Sequence, residues 1–83
     1  MRNMVLAELA SIGSFLQWAA DPNNYAHQYR KRAEFYTNDV SICKESYENI
    51  RNGGEITEIL TELFNNLKTP SEKKKVQTLL TEI

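Results

Sequence analysis

One cysteine, two prolines, three glycines and one histidine are all that 83 residues contain of these types, and each scarcity excludes something. Cys43 has no second cysteine to pair with. Secreted domains this small usually depend on disulfide staples, so the composition points to a reducing, cytoplasmic setting. His27 has no Cys, His or carboxylate set around it at ligand spacing. No metal, cofactor or catalytic centre is therefore expected, and His27 reads as a surface residue. Gly53-Gly54 lacks both a strand-to-helix context and a following Lys-Ser/Thr, so it is not a phosphate-cradling loop. The longest stretch without charge, Leu9 to Ala20, spans 12 residues, short of the about 20 that a membrane-crossing helix requires. Glu8 interrupts any signal-peptide core.

Scarcity of breakers favours a few long elements, and the apolar spacing says which kind. Val5, Leu9, Ile12, Leu16 and Ala19 recur at spacings of four and three, a helical stripe, which predicts a first helix from about Asn3 to Ala20. Gly13 lies inside it at a cost of roughly 1 kcal/mol relative to alanine, and close approach of another helix is a reason for it. Asp21-Pro22 ends this helix and is suited to start the next, with aspartate as cap and proline at the first helical position. Tyr25, Tyr29, Ala33, Tyr36, Val40, Cys43, Tyr47 and Ile50 then hold one phase, predicting one long helix over 22–52, roughly 46 Å at 1.5 Å per residue. Its weak point is Thr37-Asn38-Asp39, three poor helix formers. Asn52-Gly53-Gly54 stops it.

A third helix is expected from about Glu55 to Lys68, with Ile56, Ile59, Leu60, Leu63, Phe64 and Leu67 apolar and Glu55, Glu58 and Glu62 on a solvated face. Thr69-Pro70-Ser71-Glu72 has the pattern of a capping box and opens a fourth helix with Val76, Leu79, Leu80 and Ile83 on one side. The fold class that follows is all-α: a single domain over 1–83, a small antiparallel bundle of three to four helices with one long central helix. The first helix is expected along the N-terminal half of that long helix, the last two along the rest.

Little here carries chemistry, so the chain is expected not to be an enzyme. Cys43 falls in the apolar stripe and reads as a small hydrophobe. Arg30-Lys31-Arg32 beside Tyr25 and Tyr29 has the residue types of a phosphate-contacting surface. Successive helical positions fan apart, however, and Arg30 is placed to pair with Glu34. Lys73-Lys74-Lys75 sits early in a helix, against the dipole. Either exposed charge is weakly constrained there, the favoured alternative, or the lysines meet an acidic partner or a phosphate. Phe15 and Trp18 form a second apolar edge on the first helix, either packed under the last two helices or exposed as a partner-binding edge.

Two functions are consistent with this pattern. The first is a non-enzymatic helical interaction module, an adaptor, inhibitor or immunity-type regulator, that binds another protein through Phe15, Trp18, Arg30, Lys31, Lys73 and Lys74, with a two-fold homodimer as a way to cover spare apolar surface. The second is a nucleic-acid-binding regulatory module using the basic start of the second helix. The net charge of −1 weighs against nucleic acid, and no membrane partner is indicated.

Overall fold

The structure is a computed structural model, and it describes residues 1–21, 23 and 33–83. Four helices follow in order: α1 (Arg2–Ala20), α2 (Ala33–Arg51), α3 (Ile56–Asn66) and α4 (Pro70–Glu82). Among the described residues there is no strand, and the fold is an all-α bundle. The expected beginning of the long helix, Pro22 and residues 24–32 with Tyr25, His27, Tyr29, Arg30, Lys31 and Arg32, lies outside the described residues. From Ala33 onward the helix runs unbroken through Thr37-Asn38-Asp39. Asp21 closes α1 with extended backbone, and its Oδ1 accepts the Asn23 N–H at 2.9 Å, a local turn of the kind aspartate favours.

The stripe of α1 forms the centre of the core. Val5, Leu9, Ile12, Leu16 and Ala19 are all buried, as the spacing predicts. Cys43 and Ile50 of α2, Leu60 and Leu63 of α3, Leu67 after it, and Val76 and Leu79 of α4 close around that stripe. Tyr36, Val40, Tyr47, Ile56, Ile59, Phe64, Leu80 and Ile83 pack half-buried at its edges.

Three contacts give the direction of α1 against α2. Arg2 donates to the Ile50 carbonyl, the Cys43 thiol donates to the Leu9 carbonyl at 3.5 Å, and Phe15 meets Tyr36 edge-on at 6.3 Å. The pairing runs in opposite order along the two helices, so they are antiparallel. It also corrects the expected placement: α1 lies along residues 36–50, not along the N-terminal half of a 22–52 helix. The reason is the apolar match, since Cys43 and Ile50 are the fully buried apolar positions among the described side chains of α2.

Gly13 faces α2, but the approach there is not tight. A Cβ at this position would meet only the Cys43 Sγ, at 3.7 Å, an ordinary contact. Gly13→Ala is therefore expected to stabilise the protein by about 0.5–1 kcal/mol through helix propensity alone. A thermal melt should rise by about 3–6 °C; an unchanged or lower midpoint would show that glycine is needed there.

The α2–α3 corner is a Schellman turn. Gly54 N–H donates to the Asn49 carbonyl at 2.8 Å and Gly53 N–H to the Ile50 carbonyl at 3.1 Å. Gly53 holds φ +101°, a value that L side chains avoid. Arg2 reaches this corner from the start of α1, donating to the carbonyls of Ile50 and, at 3.3 Å, Gly54. A cation there complements the negative end of the α2 dipole. On the other side of the turn, the Glu55 carboxylate caps α3 by accepting the Glu58 N–H at 2.8 Å.

The α3–α4 corner departs from the expected capping box. Thr69 is the cap residue and Pro70 opens the helix, but the Thr69 side chain makes no cap bond. Its hydroxyl donates instead to Asp39 Oδ2 of α2. The same carboxylate accepts the Lys68 N–H at 3.0 Å and the Thr69 N–H at 2.8 Å, and the Asn38 amide donates to Oδ1 at 2.9 Å. A charged acceptor from another helix outcompetes the local arrangement, because charge-assisted hydrogen bonds are roughly twice as strong as neutral ones. Glu72, the other half of the expected box, is buried to 1 % exposure. It accepts from the Ser71 hydroxyl and from Lys75 Nζ.

Candidate functional site

The expected site residues fall into three groups. Arg30 and Lys31 lie outside the described residues, as does the expected Arg30–Glu34 pair. Phe15 and Trp18 come from the last two turns of α1, and Lys73 and Lys74 from the first two turns of α4. Phe15 belongs to both sides of the expected alternative. It is half-buried, its ring lies 6.3 Å from Tyr36 and Lys75 Nζ sits 5.5 Å above it. Trp18 is 50 % exposed, with its ring 6.1 Å from that of Phe15.

Two of the three lysines in Lys73-Lys74-Lys75 lie over rings of neighbouring helices. Lys73 Nζ stands 4.9 Å from the Phe64 ring centre. Lys75 combines the Phe15 ring with the Glu72 carboxylate at 3.4 Å. Lys68 repeats the motif over Phe35 at 5.8 Å. Each cation–ring contact contributes about 0.5–1 kcal/mol at exposed sites, enough to offset the few tenths lost against the helix dipole. Lys74 is exposed. The chain of rings and cations Trp18–Phe15–Lys75 therefore joins the end of α1 to the start of α4. Periodicity within α1 or α4 alone does not reveal this juxtaposition.

Cys43 is packed in the core. Cys43 is 1 % exposed, and its thiol pKa is pushed up to about 11, first by burial and then by the Asp39 charge. A thiolate is the nucleophilic form, so this sulfur is held in its unreactive state at neutral pH. Among the described residues no group of His, Cys, Asp and Glu is arranged to hold a metal ion. A shallow groove of about 250 Å³ runs between α1 and α2, lined in part by Ala10, Gly13, Ser14, Val40 and Tyr47. It holds no convergent set of titratable groups; Lys44 and Glu48 stand on its α2 side. Among the described residues no helix is long and apolar enough to cross a membrane.

Compared with family models, curated proteins and solved structures, the chain matches none of them.

Proposed function

We propose that this protein is a non-enzymatic interaction module, of the adaptor, inhibitor or immunity-regulator kind, that acts by binding another protein molecule. The observation that supports the reading is Trp18, a large ring left 50 % exposed beside Phe15 on an otherwise uncharged stretch of helix. Tryptophan is among the residues most enriched at binding hot spots, and truncating such an anchor typically costs 2 kcal/mol or more of binding. Lys75, with its Nζ 5.5 Å above the Phe15 ring, supplies polar surface beside that edge, as interface rims have.

The test is capture of partners by the tagged protein, with and without nuclease, followed by the same experiment with Trp18→Ala. The expected result is a protein recovered in both conditions and lost by at least about thirtyfold in the variant, with far-ultraviolet circular dichroism unchanged because Trp18 is not core. Recovery that disappears with nuclease would transfer the reading to nucleic acid. Recovery indifferent to Trp18→Ala would remove this edge from the function.

A further inference from the structure

The partner of this edge follows from the outer face of α1. Its buried stripe is Val5, Leu9, Ile12, Leu16 and Ala19. On the opposite side a second stripe runs through Met4, Ala7, Ser11, Ser14 and Trp18, at spacings of three, four, three and four, and every one of these positions is exposed. That is the seven-residue repeat of a helix seam. The outward faces of surface helices ordinarily carry charge, yet this stripe has none. The large hydrophobics left exposed among the described residues are Met1 at 69 %, Met4 at 40 % and Trp18 at 50 %, all at the start of α1 or on it.

The order of sizes along the stripe is large, small, small, small, large. Turned end for end, the stripe has the same order. We propose that the occupant of this face is a second copy of the chain, docked through an antiparallel α1–α1 pairing about a two-fold axis near Ser11. This inference rests on the interaction-module reading and names the partner. An isologous interface requires a patch complementary to itself. Antiparallel pairing sets each Trp18 against Met4 and Ala7 of the other copy, a ring against a thioether and a methyl. Ser11 meets its counterpart at the axis and Ser14 falls beside Ala7 of the other copy, where small side chains let the helices approach to about 8 Å and the two Ser11 hydroxyls serve each other as partners. Parallel pairing would set tryptophan against tryptophan and leave the small positions facing a gap. A partner carrying charge on its facing surface would bury that charge unpaired, which this uncharged stripe cannot compensate.

The seam is one helix of 19 residues, about 28 Å long. Stable interfaces bury about 1,200–2,000 Å² in total; a single helix pair with small residues at its centre is a small interface beside these, so the dimer is expected to dissociate on dilution.

The experiment is sedimentation equilibrium of the whole chain from about 1 to about 500 µM, alongside two variants. Ser11→Glu places like charges at the axis and is expected to weaken the dimer at least about a hundredfold without altering helical content, since Ser11 is exposed. Ser11→Cys is expected to form an intermolecular disulfide on mild oxidation, because residues at the axis fall within disulfide reach; the parent chain, whose one thiol is buried, should not. A chain that stays monomeric throughout overturns the inference, as does a dimer unmoved by Ser11→Glu. In the monomeric case, capture of a different protein that is lost with Trp18→Ala leaves the interaction-module reading standing. Absence of any Trp18-dependent capture removes both.

Discussion

Asp39→Ala is expected to cost this protein about 3–5 kcal/mol, more than any other single substitution on its polar side chains. The carboxylate is fully buried, at 0 % exposure. Its donors are the Lys68 and Thr69 amides, the Thr69 hydroxyl and the Asn38 side chain. Truncation does not merely delete these bonds. It leaves backbone N–H groups at the α3–α4 corner with no acceptor, and each buried unsatisfied donor costs about 1–3 kcal/mol. A domain of this size has a total stability of about 5–10 kcal/mol, so the variant should sit near the edge of unfolding. Its melting midpoint should fall by more than about 15 °C. Asp39→Asn keeps one acceptor oxygen and should lose roughly half as much. Thr69→Val removes one donor and its share of the network, at about 1–2 kcal/mol. An Asp39→Ala midpoint within a few degrees of the parent would show that water or a backbone shift replaces the carboxylate.

Gly54→Ala is the second large effect, and its cause is steric. A Cβ there would stand 2.7 Å from the Asn49 carbonyl oxygen and 2.5 Å from Ile59 Cδ1. The isoleucine tip can rotate away. The Asn49 oxygen cannot, because it is backbone and also accepts the Gly54 N–H. Relief requires opening the bond that closes α2, in the same corner where Arg2 donates to the Gly54 carbonyl. The expected loss is about 2–3 kcal/mol. Gly53→Ala, at the adjacent residue, meets nothing within 4 Å and carries only the strain of positive φ, about 1 kcal/mol. Urea titration of the two variants should rank them in that order with unchanged slopes. The reverse order would mean that the turn conformation, not the contact with Asn49, is what fixes glycine at this corner.

These two positions mark where the sequence was legible and where it was not. The buried stripe of α1 is a one-helix property, and all five of its members were readable from spacing. Gly53-Gly54 was readable as a stop because glycine at a helix end has few other uses. Asp39 was not. Within Thr37-Asn38-Asp39 it carries only the local message of a poor helix former, and its use lies 29 and 30 residues away. Nothing in a single sequence encodes that pairing. For the same reason Thr69 and Glu72 had the right identities and positions for a capping box but not its bonds: a stronger acceptor arrives from α2. The candidate site divides along the same line. Phe15 and Trp18 could be singled out as a second apolar edge, whereas the cations set over Phe15, Phe64 and Phe35 depend on how α1, α2, α3 and α4 come together.

Arg2 and Asp39 have a joint consequence for how the chain acquires its structure. The α1–α2 and α3–α4 pairs look like two helical hairpins that would form separately. Yet the corner between α3 and α4 borrows its acceptor from α2, and the corner after α2 borrows its cation from the first residue of α1. The second hairpin does not hold a full set of partners for its own backbone, and the first alone would leave the Asp39 carboxylate without its Lys68 and Thr69 donors. Excised alone, each would expose polar groups that the intact chain satisfies across the other hairpin. The described helices are therefore expected to unfold as one cooperative unit, in which opening one pair of helices removes hydrogen bonds from the other.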